Sequence, residues 1–102
     1  MSKTKNEIIG KIFEFILRNG DGGSSFGWYV GISEDARKKL FNDHNVNEES
    51  DRWILDIANT SQEAREIEDY FINTLGTDCN SGGGGPTTRM VYAYKKTRYT
   101  NP

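Results

Sequence analysis

This chain of 102 residues has one cysteine, one histidine, two prolines and no excess of basic residues, and each scarcity removes a class of protein. The lone Cys79 permits no internal disulfide and no metal-binding cysteine pair, which points to a reducing compartment and to a small unreactive thiol. No stretch approaches the roughly 20 apolar residues that cross a bilayer. Ile8 to Leu17 is broken by Gly10, Lys11 and Glu14 with no small-residue cleavage site after it, so neither a signal peptide nor a membrane span is expected, and the expected location is cytoplasmic. With 13 Lys and Arg against 15 Asp and Glu, the net charge of −2 counts against a nonspecific nucleic-acid binder.

What remains is the composition of a globular chain, 34% hydrophobic and 27% charged, long enough for one domain around one core over residues 1–102. Thr4 and Glu7 form a capping box ahead of Ile8, Ile9, Ile12, Phe13, Ile16 and Leu17, which predicts an amphipathic helix within residues 1–19 that stops at Asn19-Gly20. Residues 19–25 read as a loop. From Phe26 to Ile32 apolar residues alternate with Gly27, Tyr29 and Gly31, which predicts a strand whose second face carries one tyrosine between two glycines. Such a bare face admits a backbone, a ligand or a helix at close range.

Ser33 is the expected cap of a second helix, with Arg37, Leu40, Phe41 and His44 on one side of it. A polar loop over 45–51 and a second strand over Trp53 to Ala58 follow. Thr60 and Glu63 then form a second capping box for a helix ending near Leu75-Gly76. The glycine-rich stretch 81–88, containing Gly82 to Gly85, reads as a loop, since no lysine followed by serine or threonine completes a phosphate-loop motif. The last strand is Met90 to Lys95, within a terminal segment 89–98. Three helices and three strands predict a small α+β fold, a three-stranded antiparallel sheet packed with three helices.

Charge is unevenly placed along the chain. Nine acids lie between Asp43 and Asp69 against Arg52 and Arg65, whereas residues 89–98 hold Arg89, Lys95, Lys96 and Arg98 without an acid. Lys95, Lys96 and Arg98 are therefore candidates for meeting a phosphate backbone, although a solvated basic strand is the commoner explanation.

Glu68 stands out in the third helix. Ala64, Ile67, Phe71, Ile72 and Leu75 form its apolar stripe, and Glu68 falls inside that stripe instead of on the charged face of Glu63, Arg65, Glu66 and Asp69. A carboxylate there is costly unless it is paired, hydrogen-bonded or bound to a metal. The ordinary explanation is a boundary residue reaching water or an arginine.

The segment Tyr29-Val30-Gly31-Ile32-Ser33-Glu34-Asp35-Ala36-Arg37, the segment Glu63-Ala64-Arg65-Glu66-Ile67-Glu68 and Asn80 are together similar to the GIY-YIG nuclease domain. The similarity spans roughly residues 26–80, and the spacings are like those in the N-terminal GIY-YIG domain of the bacterial excinuclease. It implies a metal-dependent DNA endonuclease that hydrolyses phosphodiester bonds. Glu68 would ligate a divalent cation, magnesium or manganese; Arg37 would bind the scissile phosphate; Tyr29 would position or deprotonate the attacking water; Asn80 would support the site. The family's first strand, a Gly-Ile-Tyr motif, has no counterpart upstream of Tyr29, where Gly20, Asp21, Gly22 and Gly23 stand. Met90 to Lys95 is the remaining strand-like run, so it is expected to pair with the Tyr29 strand and bring Tyr92 or Tyr94 beside Tyr29.

The chemistry is coherent on the residues alone. Phosphodiester hydrolysis calls for a Lewis acid and a cation at the phosphate oxygens; a hard carboxylate suits magnesium or manganese, and arginine's planar fork matches two phosphate oxygens. His44 reads first as a polar helix-end residue and second as an auxiliary base. Tyr92 and Tyr94 read first as strand residues packing against a helix, and second, with Tyr99, as platforms on which bases could stack. The rivals to a cleaving enzyme are a degenerate domain that binds nucleic acid without cutting it and a protein-interaction module suggested by the acidic middle of the chain. Oligomeric state is not legible in the sequence.

Overall fold

The computed structural model describes residues 4–19, 27–75, 77 and 87–101. Helix α1 spans Lys5–Asn19, strand β1 Trp28–Ser33, helix α2 Ala36–Lys38 with a π-helical turn Lys39–Asp43, strand β2 Trp53–Ile57, helix α3 Ser61–Tyr70 with a π-helical turn Phe71–Leu75, and strand β3 Met90–Lys95. The fold is α+β, a three-stranded antiparallel sheet with three helices.

Local sequence starts these elements as the capping rules require. At α1 the Thr4 hydroxyl accepts from the Glu7 amide at 3.2 Å while Glu7 Oε1 accepts from the Thr4 amide at 3.1 Å. At α3 the Thr60 hydroxyl accepts from the Glu63 amide at 3.1 Å. The cap of α2 differs from expectation: Asp35, not Ser33, holds it, its carboxylate accepting from the Lys38 amide at 3.1 Å. Ser33 pairs with Met90 as the last residue of β1, and its hydroxyl accepts from the Asp35 amide instead. Strand pairing carries the chain two residues further before the helix can begin.

The sheet order is β1-β3-β2, so the last strand in sequence is the central one. It pairs with β1 in the register Tyr29 opposite Tyr94 and Gly31 opposite Tyr92, and with β2 in the register Trp53 opposite Tyr94 and Leu55 opposite Tyr92. The expected pairing of the C-terminal strand with the Tyr29 strand is thus present, and β3 also closes the ladder of β2.

Period-two alternation sends the two sets of side chains into two cores. Trp28, Val30, Ile32, Val91 and Ala93 face α1 and α3, meeting Ile8, Ile12, Ile16, Ala64, Ile67 and Phe71. Each fully buried isoleucine there contributes about 1.5–3 kcal/mol. Tyr29, Tyr92 and Tyr94 occupy the opposite face with Ala36, Leu40 and Val46, and Trp53, Leu55, Phe41 and Met90 pack around them. Among the described residues no helix is long and apolar enough to cross a membrane.

Candidate functional site

The second core is unusual in being built from hydroxyls and an imidazole. Tyr29 sends its ring from β1 between those of its neighbours, 5.2 Å from Tyr94, 6.1 Å from Tyr92 and 4.5 Å from His44, centroid to centroid. Gly31 makes this stacking feasible, because a Cβ at that position would lie 2.7 Å from Tyr92 Oη and 3.1 Å from Tyr29 Cε1. The close approach expected along the glycine-flanked face is therefore made by the phenol of a strand neighbour.

His44, in place of the solvated helix-end position that its spacing suggests, is buried, 7% exposed. The difference is tertiary. Its Nε2 lies 2.8 Å from Tyr92 Oη, and its Nδ1 lies 2.6 Å from the Asn101 carbonyl oxygen and 3.1 Å from Tyr94 Oη. Burial lowers its pKa from the usual 6.5, an effect to which Lys39 adds, while the Asn101 hydrogen bond and Asp43 act in the opposite direction. Burial raises the pKa of Tyr92, and Tyr29, Tyr94 and Glu68 add to the shift, so its phenol stays protonated.

Glu68 is buried, 6% exposed, within the apolar stripe of α3 as its spacing predicts. Its Oε2 has no hydrogen-bond partner among the described residues. Burial raises its pKa from 4.5 to about 7, with Asp69 adding to the shift and Arg65 opposing it. A lone carboxylate with an unsatisfied oxygen fits a hard cation that keeps most of its waters. Among the described residues no three His, Cys, Asp or Glu side chains gather to form an all-protein metal cage.

Arg37 is turned elsewhere. Its Nη2 donates to Glu48 Oε2 at 2.5 Å, and its guanidinium carbon sits 5.2 Å from the Phe41 ring centroid and 5.6 Å from that of Trp53 on β2. Both members of the ion pair are more than half exposed, so the pair is worth at most about 1 kcal/mol. Asn80 and Gly82 to Gly85 lie outside the described residues. Of the basic residues proposed for nucleic acid, Lys95 is half-buried and donates to the Asn19 carbonyl at 3.1 Å, at the negative end of α1. Lys96 is half-buried as well, and Arg98 is exposed with its guanidinium 6.0 Å from the Tyr99 ring.

The structure thus gathers Tyr29, Tyr92, Tyr94 and His44 on one face of the sheet, carries Glu68 on α3, whose buried Ala64 and Ile67 pack against the opposite face, and leaves Arg37 engaged beside β2. Comparison with protein-family models, with curated proteins and with solved structures gives no match.

Proposed function

We propose that this domain hydrolyses phosphodiester bonds in DNA with magnesium or manganese, as its similarity to GIY-YIG nucleases implies, and that Tyr92 of the C-terminal strand takes the part of the family's missing first tyrosine. The observation that carries this reading is the stacked Tyr29–Tyr92 pair, ring centroids 6.1 Å apart, lying over Gly31 in a domain that also buries Glu68 with an unsatisfied Oε2. Glu68 would hold the cation, which supplies a Lewis acid for the phosphate oxygens and an acidified water. Tyr29 orients the attacking water and receives its proton. Arg37, released from Glu48, stabilises the charge that develops on phosphate; the exposed pair with Glu48 is weak enough for a dianionic or bridging phosphate to displace.

A second reading, a scaffold that binds nucleic acid or a protein partner without cutting, is favoured by the burial of all three tyrosines and by the engagement of Arg37 with Glu48. Plasmid DNA incubated with the purified chain separates the two. Nicking with manganese that disappears on chelation and in Glu68→Gln supports the nuclease; retention of DNA on the protein with no nicking in either metal supports the scaffold.

A further inference from the structure

The two outer strands of the sheet meet different surroundings. Every residue of β1 is buried, whereas every residue of β2, from Trp53 to Ile57, is only half-buried. Ladder geometry fixes which way the main chain of β2 points. The Ala58 amide donates to the Arg89 carbonyl at 2.8 Å and the Lys95 amide to the Arg52 carbonyl at 2.9 Å, so residues 52 and 58 turn toward the β3 side. Alternation along the antiparallel register then turns the amides and carbonyls of Ile54 and Asp56 toward β3 as well, and those of Trp53, Leu55 and Ile57 outward. Among the described residues no group meets the outward amides and carbonyls of Trp53 and Leu55. The Ile57 amide is met only by Asp56 Oδ1, at 2.9 Å.

This edge lacks the devices that keep strands apart. The run Trp-Ile-Leu-Asp-Ile contains no proline and no lysine, and its one charge, Asp56, is turned toward α1, where Lys11 Nζ lies 3.2 Å from Oδ2 and leaves the carboxylate 11% exposed. The side chains also complement themselves. With a second β2 laid antiparallel so that Leu55 faces Leu55, Trp53 stands opposite Ile57 on the tyrosine side and every directly opposed pair there is apolar. Moving the twofold axis by one residue is worse in both directions. One way sets Asp56 opposite Asp56, and the other sets Ile57 opposite Asp51, whose amide is already given to the Asn47 carbonyl at 3.0 Å.

We propose that β2 pairs antiparallel with β2 of a second copy of this chain, Leu55 opposite Leu55, joining two three-stranded sheets into one continuous sheet. Each Leu55 amide donates to the Leu55 carbonyl of the other copy, and each Trp53 amide to the other's Ile57 carbonyl. The Ile57 amide joins the ladder when Asp56 Oδ1 gives it up. On the α1 side Ile54 stands opposite Asp56 of the other copy. Ile54 belongs to a groove of about 330 Å³ that it lines with Lys11, Glu14, Phe15 and Arg18, so the incoming carboxylate arrives where two cations stand on the rim. A ladder this short makes a small interface, and the pairing is therefore concentration-dependent. It does not depend on whether the domain cuts DNA.

Two measurements on the unaltered chain and one on cysteine variants test the pairing. Sedimentation equilibrium from micromolar to millimolar concentration should show the mass rising from 11.6 kDa toward twice that value. Amide hydrogen exchange should slow at Trp53 and Leu55 as the concentration rises, while the amides of Ile54 and Asp56, already turned to β3, stay protected throughout. In a Cys79→Ser background, Leu55→Cys should oxidise to a crosslinked dimer at least about tenfold faster than Ile54→Cys, because directly opposed residues on the hydrogen-bonded sites of such a ladder lie about 5.5 Å apart at Cα, within reach of a disulfide. A mass that stays at 11.6 kDa at every concentration overturns the proposal. So does a dimer in which the Trp53 and Leu55 amides exchange as fast as in dilute solution, since its interface then lies elsewhere. Faster crosslinking at Ile54→Cys overturns the Leu55 register.

Discussion

Replacing Glu68 by glutamine isolates the cost of a buried carboxylate with an unsatisfied oxygen. In the folded chain Glu68 titrates near 7, against 4.5 for an ordinary glutamate, because burial disfavours its charge. Between these values the folded state holds a proton that the unfolded state has lost, so stability falls as pH rises through this window. The shift corresponds to about 3 kcal/mol of stability lost by pH 8, at about 1.4 kcal/mol per pH unit. Glutamine keeps the shape and carries no charge, so it escapes this loss. Thermal unfolding of the two proteins should give similar midpoints at pH 4.5, whereas at pH 8 Glu68→Gln should melt about 12 °C higher, at about 4 °C per kcal/mol. His44 titrates in both proteins and cancels from the difference. Manganese at a hundred times its dissociation constant should restore about 2.7 kcal/mol to the unaltered chain and nothing to the variant. A difference in midpoint that stays constant from pH 4.5 to 8 would refute the reasoning, because it would show that the carboxylate ionises without penalty.

Other expectations follow from the same geometry. Gly31→Ala sets a Cβ against Tyr92 Oη and should cost about 1–3 kcal/mol in urea unfolding while shifting the tyrosine fluorescence of the cluster. His44, whose folded pKa is depressed, makes a contribution that is present above about 6.5 and lost as pH falls below it, so His44→Gln should flatten the stability curve on the acid side of 6.5. Glu48→Gln should change stability by less than about 1 kcal/mol and tighten DNA binding in a filter assay by freeing Arg37; unchanged affinity would remove Arg37 from phosphate recognition. Neutralising Lys95, Lys96 and Arg98 together should weaken binding about equally across DNA sequences and reduce its salt dependence, and an affinity indifferent to both salt and charge would favour a protein partner.

The parts of this fold that are local are legible in the sequence. The two capping boxes, the stripe of α3 and the alternation of β1 and β3 are decided within a few residues, so Thr4, Thr60 and Met90 to Lys95 fall where pattern places them. Glu68 is legible for the same reason, as one polar residue at an apolar spacing. The surroundings of His44 are not. Its partners Tyr92 and Asn101 lie 48 and 57 residues away, and helix-end position alone argues for solvent. The partner of Arg37 is hidden likewise, since Glu48 sits in a loop whose only signal is polarity. The cap of α2 falls at Asp35 instead of Ser33 because Ser33 is held in the sheet by Met90, far along the chain. Even the pairing of β3 with β1 rests on elimination, and its central place in the sheet comes from a second pairing, with β2, that no local pattern encodes.

The central claim is that Tyr92 acts as the second tyrosine of a hydrolytic pair with Tyr29, and single-turnover cleavage by three phenylalanine variants tests it most directly. Tyr92 Oη lies 2.8 Å from His44 Nε2 and over Gly31 beside Tyr29, whereas Tyr94 stacks on Tyr29 and its Oη lies 3.1 Å from the other imidazole nitrogen. Tyr29→Phe and Tyr92→Phe should each lower the manganese-dependent rate by about a hundredfold or more, with Tyr94→Phe within about tenfold of the unaltered chain. A Tyr92→Phe protein that cuts DNA at the unaltered rate would contradict the central claim.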